Sequence, residues 1–377
     1  MFNKIFITPV GLACNLACSY CYNTTNDQRT TVTESGYSLI SDEILDAIIE
    51  CITPHIRNRL TVTWHGGEPL LARPSFYYRA IDRINKRLGD SVKVDYDMQT
   101  NATLVNDEWC KTFRDLSIRP STSLDGPPGM HDANRYFPCG SGAYAQAMRG
   151  YNMLREHLGR CGVITVLNKA NHNRIPELFE WVVANDIRSI DFQVCVKQQN
   201  QPDSMTALSD QESIDALTSL FDLWFAHDDP ALRVRIYCDA IRGILGARPR
   251  VCSWCGGCGS FLSFDQHGNV FLCARWHVYP ETSFGNLLTD PFSLILDRRY
   301  HGALQESIQR GQRWCQDCRW LGACGGGCPF LKFSKKASCD IEYPLCGVRR
   351  HLFNHIEEQV SRHCKLLKPG IVSSAQC

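Results

Sequence analysis

The distribution of cysteine constrains this chain more than any other feature of its sequence. The 377 residues include 21 cysteines, and eleven of these lie between residues 252 and 364. Residues 1–14 do not form a convincing export signal, because they carry a single lysine and Pro9 interrupts their apolar stretch. We therefore expect a cytoplasmic location, where grouped thiols bind metals or carry out redox chemistry rather than form disulfides.

The overall composition excludes several classes of protein. Hydrophobic residues make up 44% of the chain and charged residues 21%, which excludes a disordered, collagenous or disulfide-knot protein. The 40 basic and 39 acidic residues leave a net charge of +1, so we expect neither nucleic acid nor an anionic membrane as a partner. No apolar run approaches the length of about 18 residues that a membrane span needs.

The N-terminal part of the chain, to about residue 227, alternates apolar runs of strand length with segments of helical period. This pattern is typical of βα units around a parallel sheet. Six such units would form an open, partial version of the eight-stranded βα barrel, with functional loops at the carboxyl ends of the strands. The six predicted strands are residues 3–9, 60–65, 92–98, 118–124, 161–167 and 188–196.

Between these strands, stripes of apolar residues at spacings of three and four predict helices that face the core. The first helix is predicted to begin after a cap at Ser41. A later stripe is Leu178, Phe179, Val182 and Val183.

Beyond about residue 238 the sequence changes to short strands, glycines and grouped cysteines. We expect this region to be organised by metal rather than by apolar burial. The predicted α/β chain therefore has three parts: a partial barrel at residues 1–235, a cysteine-rich domain at 236–350, and a C-terminal helix and tail at 351–377.

A CxxxCxxC triplet, Cys14, Cys18 and Cys21, directly follows the first predicted strand. Three thiolates in a tight loop can hold three irons of a [4Fe-4S] cluster and leave the fourth iron open. Catalysis at a metal requires such an open position. The alternatives are a zinc site with a remote fourth ligand or buried idle thiols, but the position at the carboxyl end of a strand favours the catalytic cluster.

The segment CNLACSYC resembles the signature of radical S-adenosylmethionine (SAM) enzymes. The resemblance implies that SAM binds the open iron, and that its reductive cleavage gives a 5′-deoxyadenosyl radical that abstracts hydrogen from the substrate. Family members hold SAM with loops that match four further segments here. The SAM-binding residues implied are Tyr22, Asn23, Gly66, Gly67, Glu68, Pro69, Gln99, Asn101, Ser123 and Arg135.

These residues have different expected roles. The Gly66–Pro69 turn is expected against the amino group of SAM, where glycines let backbone carbonyls approach closely. Ser123 and Arg135 are expected to contact SAM, and a guanidinium suits its carboxylate because it presents paired donors. Tyr22 and Asn23 are placed beside the adenine, although a core or surface role is equally open for both.

The C-terminal cysteines resemble the SPASM domain, an extension of radical SAM enzymes that binds two auxiliary [4Fe-4S] clusters. The resemblance rests on spacing: a cysteine, nine residues, a glycine, four residues, a cysteine, then CxxCx5CxxxC and a last cysteine. It assigns Cys252, Cys258, Cys273 and Cys328 to one cluster, here called the first auxiliary set. It assigns Cys315, Cys318, Cys324 and Cys346 to the other, called the second auxiliary set.

Eight thiolates satisfy two clusters, so we expect these clusters to transfer electrons and support the fold rather than bind substrate. A zinc ribbon would explain only four of the eight cysteines. Cys255 has no place in this cysteine pattern and is surplus. It would replace one of the assigned ligands if the pattern aligns differently around Cys252. The other cysteines are predicted to be mostly buried apolar residues: Cys51, Cys110, Cys139, Cys161, Cys195, Cys238, Cys339, Cys364 and Cys377.

Segment by segment, the chain is similar to the anaerobic sulfatase-maturating enzymes, which oxidise a Cys or Ser side chain of a sulfatase to formylglycine. In that family an Asp that is thought to act as general base follows the cysteine equivalent to Cys273, whereas this chain has Ala274. A methyl group cannot accept a proton, so formylglycine formation is doubtful. Asp239, Asp265 and His277 are candidate replacement bases, although such residues are more often structural.

Related radical SAM enzymes modify ribosomally made precursor peptides through carbon-carbon, ether or thioether crosslinks or epimerisation. We therefore expect a peptide-modifying oxidoreductase with three [4Fe-4S] clusters, reduced by flavodoxin or ferredoxin. Only thirteen residues precede Cys14, so the barrel and SPASM surface, or a partner, would hold the precursor. Sulfatase maturation, oxidation of a small alcohol and a zinc-stabilised adaptor without catalysis are the alternatives.

Overall fold

The computed structural model describes residues 2–23, 36–197 and 205–366. The strands are β1 (Lys4–Ile7), β2 (Arg59–Trp64), β3 (Lys93–Thr100), β4 (Ile118–Ser123), β5 (Gly162–Leu167), β6 (Ser189–Val194), β7 (Arg233–Val234), β8 (Phe261–Phe264), β9 (Asn269–Phe271) and β10 (Gly285–Asn286). The helices are α1 (Asp42–Ile52), α2 (Arg73–Leu88), α3 (Asp107–Asp115), α4 (Pro128–His131), α5 (Tyr144–Leu158), α6 (Ile175–Ala184), α7 (Asp210–His227), α8 (Arg235–Ile244), α9 (Phe292–His301), α10 (Ala303–Arg310), α11 (Leu321–Cys324), α12 (Pro329–Lys336) and α13 (Cys346–Leu366).

Across the described ranges the strands form one ten-stranded sheet in the order β10-β9-β8-β1-β2-β3-β4-β5-β6-β7. Strands β1 to β7 pair in parallel, each with the next along the chain. Strands β1 to β6 coincide with the six predicted strands, and helices connect them. The predicted partial βα barrel is therefore confirmed.

Parallel pairing brings the carboxyl ends of these strands to one edge of the barrel. Ile7 pairs with Trp64, and Trp64 pairs with Met98. Thr100, near the end of β3, pairs with Thr122 near the end of β4. The loop after β1, which carries the cysteine triplet, therefore lies beside the turns that follow β2, β3 and β4.

The helices cover the outside of the barrel with the predicted apolar stripes. Helix α1 begins where the sequence predicts, because the Ser41 hydroxyl accepts a hydrogen bond from the Ile44 amide. Val183 is a wrong prediction, since its side chain is 42% exposed while Val182 is buried. The buried face of this helix includes Leu178, Phe179 and Trp181 beside Val182. At about 100° per residue, Val183 lies beyond the edge of that face.

The cysteine-rich region continues the sheet of the barrel. Strand β8 pairs in parallel with β1 on the side opposite β2, and β9 and β10 extend this edge in antiparallel fashion. Helix α13 packs against α7 and α8, with the His355 ring 2.6 Å from the Asp222 carboxylate. Strand pairing and helix packing therefore contribute to the organisation of this region, and its organisation by metal stays a prediction.

The predicted boundary at residue 235 falls at the first residue of α8, and the division into three parts stays a prediction. The predicted polar tail beyond residue 366 lies outside the described residues. No helix among the described residues is both long and apolar enough to cross a membrane.

Candidate active site

A cavity of about 1050 Å³ lies at the carboxyl ends of the barrel strands, where the barrel meets the cysteine-rich region. Seven cysteines predicted to bind clusters line it, namely Cys14, Cys18, Cys21, Cys252, Cys258, Cys273 and Cys328. So do nine of the ten residues implied to bind SAM: Tyr22, Asn23, Gly66, Gly67, Glu68, Gln99, Asn101, Ser123 and Arg135. The tenth, Pro69, is buried behind the wall and does not line the cavity.

The cysteine triplet is held in place by the turn after β3. The Cys14 sulfur accepts hydrogen bonds from the Leu16 amide at 3.4 Å and from the Asn101 side-chain amide at 3.8 Å. Asn101 also donates to Asn15 at 2.8 Å. Burial raises the pKa of Cys18 to about 12, although Arg135 opposes this effect. Such thiols are protonated at neutral pH unless a metal displaces the proton.

Glu68 fastens the turn after β2 to the end of β3. Its buried carboxylate accepts hydrogen bonds from the Asn101 amide and the Thr100 hydroxyl, each at 2.7 Å, and from the Leu70 amide at 3.0 Å. Burial raises the pKa of Glu68 to about 7 against these donors. Both carboxylate oxygens have protein partners, so Glu68 positions loops around the cavity.

The two glycines of this turn are explained by contact with the cysteine loop. A Cβ atom on Gly67 would lie 1.9 Å from the Ala13 carbonyl oxygen, and one on Gly66 would lie 2.4 Å from the Gly11 carbonyl oxygen. The backbones are joined by hydrogen bonds from Gly67 to Gly11 and from Glu68 to Ala13. The sequence predicted that these glycines let backbone carbonyls approach SAM, which stays a prediction. The contact that the structure shows at this turn is with the protein's own cysteine loop.

Arg135 belongs to a buried network beside Cys18. Its guanidinium donates to Asp125 at 2.9 Å, and the Tyr20 hydroxyl donates to the same carboxylate. Asp125 is fully buried and also accepts from the Val166 amide. Because Asp125 already compensates the charge of Arg135, a ligand could bind only the guanidinium N–H groups that Asp125 does not occupy.

Asn23 carries a polar atom without a partner. It is only 7% exposed, and its side-chain nitrogen donates to the Gly66 carbonyl at 2.8 Å. Its side-chain oxygen has no hydrogen-bond partner within the described part of the chain. Buried polar atoms are normally paired, so this acceptor fits a ligand with a donor group, such as the amino group of an adenine.

Gln99 and Ser123 face each other across the ends of β3 and β4. The Gln99 amide donates to the Ser123 hydroxyl at 3.0 Å, and the Gln99 carbonyl accepts from Ser121. The hydroxyl proton of Ser123 stays available for a ligand in the cavity.

Tyr22 lines the cavity and contacts residues of the cysteine-rich region. Its ring contacts Phe330 edge-on at 6.0 Å between centroids, and the Arg275 guanidinium lies 5.5 Å from its ring centre. The tyrosine therefore connects the cysteine loop of the barrel with residues around the first auxiliary set.

The first auxiliary set comes together as the spacing indicates. Burial raises the pKa of Cys258, and the thiolates of Cys328, Cys273 and Cys252 raise it further. All four side chains line the main cavity.

The second auxiliary set lies away from the main cavity. Burial raises the pKa of Cys346 to about 12, and Glu342, Cys324 and Cys315 raise it further. Cys318 likewise raises the pKa of Cys315. The surplus Cys255 lines a separate cleft of about 770 Å³ together with Cys315, so the structure places it beside the second set rather than among the first.

Three arginines near these cysteines lack a carboxylate partner within 4.0 Å among the described residues. Arg299 and Arg349 are buried, and Arg275 is half-buried. Arg299 donates to the Cys258 carbonyl at 2.7 Å, Arg349 donates to the Cys324 sulfur at 3.4 Å, and Arg275 follows Cys273 by two residues. Buried charges are normally paired. Clusters with four thiolate ligands carry net negative charge, so the residues present fit such groups.

No three His, Cys, Asp or Glu side chains in the described ranges are arranged to hold a single metal ion. A [4Fe-4S] cluster differs from such a site because it distributes its thiolates over several irons.

Four of the seven remaining cysteines whose side chains the structure describes are buried as predicted. Cys139 is exposed, and Cys51 and Cys238 are half-buried. The side chains of Cys364 and Cys377 lie outside the described residues. The other four surplus cysteines are buried: Cys110, Cys161, Cys195 and Cys339. Of these, Cys195 at the end of β6 also lines the main cavity.

The candidate replacement bases lie outside the cavity. Asp239 accepts from the backbone amides of Arg250 and Val251, and Asp265 accepts from amides in the β8–β9 turn. His277 contacts the Ser263 hydroxyl at 2.9 Å, and burial lowers its pKa to about 3. All three are structural, and none lines the cavity.

Sequence comparison gives the same family as the motifs. Residues 8–182 match the Radical SAM superfamily. The serine-type anaerobic sulfatase-maturating enzyme of Bacteroides thetaiotaomicron is 28% identical over 372 residues, covering 93% of this chain and 89% of that protein. The cysteine-type enzyme of Clostridium novyi is 26% identical over 331 residues, covering 86% of this chain and 87% of that protein.

Two solved structures share the fold. Native anSMEcpe with bound AdoMet and Cp18Cys peptide superposes with a TM-score of 0.81 at 19% identity, covering 97% of this chain and 99% of that one. SuiB of Streptococcus suis bound to precursor peptide SuiA gives 0.62 at 14% identity, covering 91% and 75%. Residues 8–182 are therefore a radical SAM domain, and the chain is a radical SAM enzyme similar to the anaerobic sulfatase-maturating enzymes.

Proposed function

We propose that this enzyme modifies a side chain of a peptide or protein segment by radical chemistry, leading to an oxidative crosslink or related change rather than formylglycine. Cys14, Cys18 and Cys21 would hold the SAM-binding cluster, and the two auxiliary sets would hold one cluster each. When bound, SAM and the first cluster supply the radical that abstracts hydrogen from the substrate.

The chain's own residues would position SAM at one end of the cavity. The unpartnered oxygen of Asn23 would accept from the adenine amino group. The remaining N–H groups of Arg135 and the Ser123 hydroxyl would donate to the SAM carboxylate. Glu68 and Asn101 would hold the cysteine loop in position beside these groups. Glu68 accepts a hydrogen bond from the Asn101 backbone amide, and the Asn101 side chain donates to the Cys14 sulfur.

The observation that carries this proposal is the residue after Cys273. Ala274 is buried and lines the cavity where the sulfatase-maturating enzymes have an Asp. The acidic residues that do line the cavity are all engaged: Asp97 with Arg119, Asp191 with Arg235, and Glu68 with three donors. No free carboxylate in the described wall could take a proton from a substrate thiol or hydroxyl.

The related structures favour a peptide substrate. The cavity of about 1050 Å³ also has to hold SAM and two clusters, so its size alone does not identify the substrate. Bound peptides are part of the two related structures, Cp18Cys in one and SuiA in the other. We extend this kind of substrate to the present enzyme, with flavodoxin or ferredoxin as reductant and an auxiliary cluster as acceptor of the substrate's electron.

Mass spectrometry of peptide products tests the proposal. The anaerobically reconstituted enzyme, SAM and dithionite are incubated separately with a short peptide encoded beside its gene and with a sulfatase peptide containing Cys or Ser. We expect the neighbouring peptide to lose two hydrogens and to stay unreactive toward a hydrazine reagent. An aldehyde that forms a hydrazone on the sulfatase peptide would contradict the proposal.

Sulfatase maturation is the second candidate, favoured by the similarity that spans 93% of this chain. The Ala274→Asp variant separates the two candidates, because it restores a carboxylate at the position after Cys273. If the missing carboxylate is what blocks maturation, this variant alone should form the aldehyde. The radical SAM domain removes the adaptor without catalysis from the candidates.

A further inference from the structure

Arg275 lies where the main cavity meets the first auxiliary set. It follows Cys273 by two residues and lines the cavity together with it, and its guanidinium extends over the ring of Tyr22 with 5.5 Å to the ring centre. One guanidinium nitrogen donates weakly to the Gln193 side chain at 3.4 Å. The side chain therefore lies between the barrel and the four cysteines.

Arg275 has no carboxylate partner among the described residues, whereas three other arginines that line the cavity are paired. Arg135 pairs with Asp125, Arg119 with Asp97, and Arg235 with Asp191. Within the described residues Arg275 forms no such pair. Its electrostatic partners are the thiolates of Cys328, Cys273 and Cys252, together with Tyr22.

The two auxiliary sets differ in their distance from the substrate cavity. The first set lines the main cavity beside Arg275, and the second set does not line it. In the described chain the second set has an unpaired guanidinium of its own, because Arg349 donates to the Cys324 sulfur at 3.4 Å. Only the first set therefore combines an unpaired guanidinium with a place at the cavity. A nearby positive charge stabilises the more reduced, more negative state of a cluster.

We propose that Arg275 raises the reduction potential of the cluster held by Cys252, Cys258, Cys273 and Cys328, and so makes it the acceptor of the substrate's electron. This role rests on the proposed function, because it requires that auxiliary cluster. As the new bond forms, the substrate radical loses one electron, which reduces the cluster from the 2+ to the 1+ state, and one proton, which leaves to solvent. Arg275 acts through the positive charge that it places beside the cluster, so it is a positioning residue rather than a catalytic one.

A potentiometric titration followed by electron paramagnetic resonance tests this role in the anaerobic full-length enzyme. The variants are Arg275→Gln, which removes the charge, and Arg275→Lys, which keeps it. The control is Arg119→Gln, which removes a cavity charge that is paired with Asp97. We expect Arg275→Gln to make reduction of one auxiliary cluster about tenfold less favourable, which is about 59 mV for one electron. Arg275→Lys and Arg119→Gln should stay close to the wild-type potential.

Each result decides for or against the proposal. Equal potentials in Arg275→Gln and wild type would overturn it. If Arg275→Gln loses about four irons while Arg275→Lys retains them, the charge is needed to hold the cluster, which supports it. If both variants lose about four irons, the cluster depends on the shape of the arginine side chain rather than on its charge, and the proposal fails. Iron content of the wild type, about twelve per chain when three clusters are bound, is measured first, because a lower value contradicts the proposed function itself.

Discussion

At the scale of single residues, Cys14 is the side chain on which the proposed chemistry depends most directly. It lies in the cavity with its sulfur facing donors from Leu16 and Asn101. We expect Cys14→Ala to abolish SAM cleavage, because two thiolates would not retain the open cluster, while about eight auxiliary irons stay bound. Chromatography of 5′-deoxyadenosine and an iron assay measure both effects. The exposed Cys139→Ala serves as the control, and unchanged cleavage in Cys14→Ala would refute the site.

Glu68 leads to a prediction about pH. Burial raises its pKa to about 7 from 4.5, so the folded protein binds more protons than the unfolded chain between these values. The free energy of unfolding should therefore decrease as pH rises through this window, by about 3 kcal/mol. Glu68→Gln should remove this part of the pH dependence in urea unfolding of the anaerobic holoenzyme.

The exposed Glu43→Gln is the matched control for Glu68→Gln. It should follow the pH dependence of the wild type. Parallel pH profiles for wild type and Glu68→Gln would show that Glu68 stays ionised through the window, held by its three donors.

The family resemblance grouped the thiols better than it indicated what surrounds them. The resemblance assigns Cys258, Cys273 and Cys328 to one set, and all three line the main cavity. It did not indicate the unpaired charge of Arg275 or Arg349. Whether an arginine has a carboxylate partner depends on residues far along the chain, and spacing carries no information about them.

At the scale of elements, the turn after β2 and the cysteine loop after β1 form one backbone unit. A Cβ atom at Gly67 would lie 1.9 Å from the Ala13 carbonyl oxygen. Gly67→Ala should therefore displace the loop, lower stability by about 1–3 kcal/mol, and reduce iron by about four per chain. Gly129→Ala, which meets no atom within 4 Å, should retain wild-type iron and melting temperature. Normal iron in Gly67→Ala would contradict this account of the turn.

Strand prediction from the sequence succeeded where strands are long enough to show a pattern. Strands β2 to β6 have six to eight residues each, and their apolar runs stand out between helices. Strands β7 and β10 have two residues each, which is too short for any periodicity. The pairing of β8 with β1 joins Phe264 to a segment 256 residues earlier, and no local signal specifies such a partner.

At the scale of the whole molecule, the barrel and the cysteine-rich region share one sheet and one cavity. Strand β8 covers the edge of β1, and α13 returns to pack on α7. The cavity wall takes Cys14 from one part and Cys273 from the other. The barrel is therefore incomplete without the region that follows it, although its own motifs are all N-terminal to residue 182.

A chain that ends at Leu245 tests this dependence. It keeps the cysteine triplet and every residue implied to bind SAM, but it exposes the hydrogen-bonding edge of β1 and the apolar surface of α7 that α13 covers. An exposed edge strand pairs with other chains, so we expect aggregation in size-exclusion chromatography and strong binding of the dye ANS. The full-length Cys252→Ala variant should stay monodisperse, because it loses a thiol and keeps both contacts. A truncated chain that is monodisperse and cleaves SAM would show that the barrel folds alone, and that the later residues supply only clusters and the far wall of the cavity.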